Sequence, residues 1–267
     1  MRKGTLLLIY LILNAYLNVG FATADGSYAF YDDFNDNSLD TAKWTEDVVG
    51  SGNSYTEANG EAQFVIFGHG GWEKGHSTLV SRWIELGNWK SITITGRWKF
   101  TDPHTAEMVM GIDGPAKGQH IWVHYVSWEG PKITYRYGST SKSEGREIPT
   151  EYVPFKLVVY QDHFEFWEDG KLVTTIETDC MKDAGRIKLT IGGWDASPLV
   201  SHVYFDDVGV SYEPVVTSTP SETATGSPSE TTTTPEASGT TPGGGTCGPA
   251  ILVLLPITVA AIWRKRR

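Results

Sequence analysis

Between residues 25 and 212 the chain alternates apolar and polar positions with a period of two. Ile92, Ile94, Trp98 and Phe100 interleave with Thr93, Thr95, Arg97 and Lys99, and Ile187, Leu189 and Ile191 with Lys188 and Thr190. The alternation predicts strands near 28–34, 61–67, 77–86, 90–100, 106–113, 119–128, 132–138, 154–161, 163–168, 171–177, 186–193 and 201–212. Turn signals separate them at Asn59-Gly60, Asp113-Gly114-Pro115, Glu129-Gly130-Pro131 and Asp169-Gly170. The last of these, between Phe164–Glu168 and Lys171–Thr175, is the strongest hairpin signal. No amphipathic helix stands out. About a dozen short strands in one stretch predict an all-β sandwich or jelly roll.

The flanks have a different composition. Residues 1–24 read as a secretory signal peptide, with Arg2 and Lys3, the apolar run Thr5 to Leu13, and Ala22-Thr23-Ala24 as the cleavage pattern. An uncleaved membrane anchor is the alternative. Residues 213–246 form a Ser/Thr/Pro-rich stalk, with 11 Thr, 5 Ser, 4 Pro and 5 Gly between Thr217 and Thr246. Such a segment cannot bury enough apolar area to offset its ordering entropy. Residues 247–267 hold Cys247-Gly248-Pro249, an apolar run Ala250–Trp263 broken by Pro256, and Arg264-Lys265-Arg266-Arg267. As a helix that run would reach roughly 21 Å, short of a hydrocarbon core of about 30 Å.

The stalk, Cys-Gly-Pro, short apolar run and basic tail resemble the CGP carboxy-terminal sorting signal of archaeal surface proteins. The resemblance implies processing at Cys247 and lipid attachment to its thiol. A transmembrane helix left in place is the alternative. Both place the protein on the outer face of the cell membrane, with the membrane as a partner through the C-terminal segment.

Three stretches of the middle carry a second resemblance. Tyr31-Asp32-Asp33-Phe34-Asn35-Asp36-Asn37-Ser38-Leu39-Asp40 with Lys43-Trp44 is similar to the opening of concanavalin A-like, laminin G-like domains. Phe164–Val173 resembles their late hairpin, and Val203-Tyr204-Phe205-Asp206-Asp207-Val208 their closing strand, which lies beside the first. The resemblance implies a jelly-roll sandwich of two antiparallel sheets for residues 25–212. That fold hosts lectins, carbohydrate-binding modules, glucanases and adhesion domains, so it leaves function open.

Candidate chemistry centres on Gln119–Trp128. Ile121, Val123 and Tyr125 suit a core, and the opposite face carries His120, Trp122, His124 and Trp128. Indole faces stack on sugar C–H faces while neighbouring polar groups bond hydroxyls, so these residues are candidate glycan ligands. The alternatives are that the two Trp lie under a loop, or that the core face is the other one. The stretch His69–His76 adds Trp72 and His69 as glycan candidates, with transition-metal binding by its two His a weaker reading.

Glycosidases need two carboxyl groups roughly 5–9.5 Å apart. Laminarinase-like enzymes of this fold carry them as Glu-x-Asp-x-x-Glu, and that motif is absent. Glu107 and Asp113 are the nearest equivalents, six residues apart on one face and so roughly 20 Å from each other, too far for a pair; Glu107 with a carboxylate from another strand is the alternative. Glu165 and Glu168 belong to a hairpin with an ordinary structural explanation. Asp33, Asp36 and Asp207, in an oxygen-rich cluster with Asp32, Asn35 and Asp206, suit calcium. Turn capping by Asp and Asn is the alternative. Cys180 reads as a half-buried thiol in a turn.

Charge and composition refine the picture. Of 267 residues 32 are acidic and 22 basic, a net −10, but six of the basic ones lie in the terminal segments. Residues 25–212 carry 28 acidic and 16 basic residues, a net −12. That balance disfavours nucleic acid and anionic polysaccharides. Two Cys exclude a disulfide framework and a Cys-based zinc site. Nine of the ten Trp fall in the β region. The reading expected from these features is a surface-tethered, non-catalytic, lectin-like domain for a neutral glycan. The alternatives are a glycoside hydrolase or lyase with an atypical site, and a structural or adhesion protein. The missing carboxylate motif points away from an enzyme.

Overall fold

The longest alternating run of the sequence, Trp89–Thr101, forms a 13-residue strand whose even-numbered positions from Ile92 to Phe100 are buried. The computed structural model describes residues 28–67, 75–101, 106–127, 130–195 and 199–215. They fall within one compact unit, Met1–Ser218. In chain order the strands are β1 (Phe30–Asp32), β2 (Trp44–Val49), β3 (Ser54–Ala58), β4 (Glu61–Phe67), β5 (His76–Ser81), β6 (Ile84–Glu85), β7 (Trp89–Thr101) and β8 (Ala106–Asp113). They continue with β9 (His120–Val126), β10 (Lys132–Tyr137), β11 (Thr140–Gly145), β12 (Val153–Tyr160), β13 (His163–Glu168), β14 (Lys171–Glu177), β15 (Arg186–Asp195) and β16 (Val200–Pro214).

Two eight-stranded antiparallel sheets result. The first runs β14-β13-β12-β7-β16-β4-β3, with β1 also pairing β16; the second runs β11-β10-β9-β8-β15-β5-β2, with β6 pairing β15. This is the expected all-β jelly-roll sandwich. The first and last strands lie side by side, Phe30 opposite Val210 and Asp32 opposite Val208.

Aromatic rings fill the space between the sheets. Trp44, Trp89 and Trp98 are fully buried, so three of the nine domain Trp serve packing. Trp98 meets Tyr125 edge-on at 5.3 Å between ring centroids and packs on Phe155 and Phe166. A charged group shares this layer. Buried Glu168 accepts from the Tyr125 hydroxyl at 2.6 Å, the Trp98 indole N–H at 3.3 Å and Arg146 Nε at 2.7 Å.

Asp169 and Gly170 adopt φ of 50° and 70° between β13 and β14, and Asn59 and Gly60 adopt 59° and 76° between β3 and β4. Both central residues at positive φ match the twist of the flanking strands. Alternation alone did not reveal β2, β3 and β11. All three are sheet edges, and Thr-Ser-Lys-Ser-Glu-Gly of β11 is almost wholly exposed. An edge strand with no buried face has nothing for alternation to record. The single strand expected over 77–86 is two, β5 and β6, and the last strand runs on to Pro214.

Candidate active site

The pleat of β9 sends Ile121, Val123 and Tyr125 into the core and His120, Trp122 and His124 to the outer face of the second sheet. On neighbouring β8 the residues on that face are Glu107, Val109, Gly111 and Asp113. Gly111 lies opposite Trp122, and a Cβ there would stand 2.6 Å from the indole ring. The missing side chain is therefore what seats the indole across β8. Trp122 stacks on His124 at 5.8 Å and donates its Nε1–H to Asp113 Oδ1 at 3.1 Å. Burial pushes the Asp113 carboxyl above the usual carboxylate range, against the pull of that indole N–H.

His124 lies diagonally across from Glu107. Its Nδ1 is 2.8 Å from Glu107 Oε2, and both side chains are 1 % exposed. Burial holds the imidazole below its ordinary range, although Glu107 works in the opposite direction. A neutral imidazole is then placed to donate its Nδ1–H to Glu107 Oε2, and among the described residues His124 Nε2 has no hydrogen-bond partner. Glu107 Oε1 faces Arg136 of β10, whose guanidinium is 3.8 Å away. On the other flank Trp194 of β15 stands opposite Glu107, and His76 of β5 opposite Trp194. His76 Nε2 is 3.2 Å from Asp47 Oδ1 of β2.

Beside Glu107 opens a groove of about 480 Å³ lined also by His120, Thr134, Arg136, Ser141 and Ser143. Among the described residues Glu107 is the one carboxylate that lines it. A second groove on the same face, also about 480 Å³, lies toward β2 and is lined by Trp83 and Lys188 among others.

The expected site residues are thus distributed unevenly. His120, Trp122, His124, Glu107 and Asp113 share one face, as the alternation implied. His124 is a buried partner of Glu107 rather than an open surface group. Glu107 and Asp113 serve different neighbours and do not form a pair. Trp72, His69, Trp128 and Cys247 lie outside the described residues.

Asp33 and Asp36 accept backbone N–H groups of Asn35 and Ser38, each two residues ahead. Asp207 pairs with Arg97 at 2.8 Å and accepts the Tyr31 hydroxyl. Among the described residues no group of three or more His, Cys, Asp or Glu is arranged to hold a metal ion. Nor is any helix among them long and apolar enough to cross a membrane. The Cys180 thiol is half-buried, lies 3.3 Å from the His120 carbonyl, and is pushed up by burial. Sequence reasoning missed Trp194 and Arg136. Trp194 ends an alternating run, Thr190-Ile191-Gly192-Gly193-Trp194, whose parity already placed it on the Lys188 face.

No protein-family profile matches the chain, and no curated protein matches it. Solved structures do resemble it. A laminarinase from Flavobacterium sp. UMI-01 superposes with a TM-score of 0.56 at 14 % identity, covering 69 % of this chain and 100 % of its own. A non-specific endo-β-1,3(4)-glucanase from family GH16 gives 0.54 at 13 % identity over 70 % of this chain and 91 % of its own. A pseudo β-1,3-glucanase of Mycobacterium tuberculosis gives 0.55 at 11 % identity over 70 % and 100 %. At these identities the likeness establishes the concanavalin A-like sandwich fold. The expectation of a non-catalytic, lectin-like domain is overturned here: the architecture is shared with solved laminarinases, endo-glucanases and an endo-β-galactosidase.

Proposed function

We propose that the chain is a glycoside hydrolase that cleaves a glycan laid across the outer face of the second sheet. One observation carries the reading: a carboxylate, Glu107, sits 1 % exposed at the wall of a groove with its second oxygen fixed by buried His124. Desolvating a carboxylate is costly, and Glu107 is held at the wall of a groove, unlike Glu168, which lies in the aromatic layer between the sheets. Trp122 and Trp194 flank it on neighbouring strands, where indole faces can stack on sugar rings.

In this reading Glu107 is the reacting carboxylate and His124 a positioning residue. An ionised Glu107 either adds to the anomeric carbon or takes a proton from the attacking water. The glycosidic C–O bond breaks and its oxygen takes up a proton from water, so the departing sugar leaves as an alcohol; in the addition route a further water then displaces Glu107. Glu107 and Asp113 are too widely spaced along β8 for Asp113 to act as the paired carboxyl.

Export by residues 1–24 and retention at the cell surface through 247–267 complete the proposal, and rest on the sequence patterns alone. The test of the catalytic reading is release of reducing ends from polysaccharides by the wild-type chain and by Glu107→Gln. The test of the tether is the membrane fractionation of the full chain against a chain ending at Thr246.

A further inference from the structure

The edge strand β11 has two faces with different tasks. Its inward side chains are engaged: Lys142 donates to Thr174 Oγ1 of β14 at 3.0 Å, and Glu144 accepts the Tyr135 hydroxyl at 3.1 Å. Just beyond the strand, Arg146 bonds buried Glu168. The contact with β14 ties an edge of the second sheet to an edge of the first. A strand with no apolar anchor is thus pinned from below. Its outward side chains, Ser141 and Ser143, are uncharged and exposed. Ser143 lies opposite Thr134, with their hydroxyls 2.9 Å apart, and Ser141 lies opposite Arg136. One strand further on, the same face bears His124 and Trp122. Both Ser line the groove at Glu107, together with Ser139 of the preceding turn. Inward charges guard a sheet edge against pairing, so the outward hydroxyls are available to a ligand. The groove is also long. Its lining runs from Lys132 to Gly138, along the whole of β10, and six residues of strand span roughly 20 Å. Glu107 stands at the Lys132 end, since it pairs with Val126 and Val126 with Lys132. The hydroxyls of Ser143, Ser141 and Ser139 therefore lead away from the carboxylate in one direction, parallel to the strands.

We infer that β11 is the wall that reads the substrate: a polysaccharide lies along β10 with several consecutive sugars on one side of the scissile bond, and their hydroxyls bond Ser143, Ser141 and Ser139 in turn. The position of the bond rests on the hydrolase reading, and the track of hydroxyls rests on the groove alone. A Ser hydroxyl both donates and accepts, as a sugar hydroxyl does, so the wall suits a chain whose hydroxyls are free. Because β11 is pinned before a ligand arrives, little ordering cost falls on binding. Affinity is gained sugar by sugar. The substrate class is a long, unsubstituted polymer, and a two-sugar fragment gains nothing from the far end of the track.

The test uses neutral oligosaccharides of two to eight sugars prepared from β-1,3-glucan, β-1,4-glucan and β-1,4-galactan. Calorimetry gives Kd for Glu107→Gln with and without Ser141→Ala and Ser143→Ala, so that no cleavage intervenes. Reducing-end release is followed with the wild-type chain. In at least one series Kd is expected to fall at least tenfold between two sugars and six. The two Ser substitutions should raise the six-sugar Kd about tenfold and leave the two-sugar Kd within about twofold. A length gain that the Ser substitutions remove, without release by wild type, supports the inference and overturns the hydrolase reading. Release by wild type with a Kd that ignores length, or with a length gain that survives both substitutions, overturns the inference and leaves the hydrolase reading intact. Neither binding nor release in any of the three series overturns both.

Discussion

His124 grips Glu107 through a 2.8 Å contact between Nδ1 and Oε2, with both side chains shut away from solvent. A buried carboxylate held by a neutral ring is sensitive to the protonation of that ring. Burial keeps the His124 imidazole below the ordinary value of about 6.5. As pH falls below about 6.5 the unfolded chain takes up a proton that the native chain refuses, so the native state loses stability. Denaturant titrations at pH 7.5 and pH 5 should show wild type losing more stability on acidification than His124→Leu. Equal losses would remove His124 from the account. The same variant should slow reducing-end release at least tenfold, since Glu107 loses its orientation.

Gly111 is predicted to act on the site through Trp122. In Gly111→Ala the new methyl group meets the indole at 2.6 Å, so the ring must lift off β8. Overpacking of this kind costs about 1–3 kcal/mol. The site-specific readout is the apparent KM for polysaccharide, expected to rise several-fold, together with a changed tryptophan emission. An unchanged KM would mean that Trp122 does not touch the glycan.

Glu168 should behave as a stability residue. It accepts from Tyr125, Trp98 and Arg146, and Glu168→Gln leaves the Arg146 cation with no carboxylate partner. Breaking a buried pair costs about 3–5 kcal/mol. Arg146 is one-third exposed, so water recovers part of that and about 2 kcal/mol is expected. Urea denaturation measures it. A variant as stable as wild type would show that the network contributes nothing net.

Glu57 gives a prediction of opposite sign. Burial is the main cause that pushes its carboxyl up to about 7; the Tyr55 hydroxyl, which donates to Oε1, works the other way, and the neighbouring Asp36 and Asp32 add to the rise. An acid whose native pKa lies above its unfolded value costs stability as pH rises toward that native value. Glu57→Gln should therefore raise Tm by about 2 °C at pH 8 and by less at pH 5. A uniform shift at both values would tie the effect to packing instead of charge.

Much of the fold was readable because its interior strands carry the period-two signature. Ile92–Phe100 and His163–Glu168 bury every second residue, so parity identified the core face directly. The edge strands β2, β3 and β11 left no such trace: apart from Trp44 at the start of β2 none of their residues is fully buried, so pairing and not alternation defines them. Half of the site followed from the same parity, which put Trp122, His124, Glu107 and Asp113 on one face. What parity could not supply was the third dimension. Alternation cannot tell that His124 turns toward Glu107, that β15 brings Trp194 alongside, or that Arg136 stands over the groove. Trp count misled as well: Trp44, Trp89 and Trp98 are fully buried core residues.

The central claim is that Glu107 reacts with a glycosidic bond. Reducing-end release from a panel of neutral and anionic polysaccharides, by wild type and by Glu107→Gln under identical conditions, tests it most directly. The account predicts release from at least one polymer by wild type, and a rate at least a thousandfold lower in a Glu107→Gln variant that melts within a few degrees of wild type, a loss of about 4 kcal/mol in transition-state stabilisation. Release that survives the substitution, or a wild-type chain that cleaves none of the panel, would contradict it.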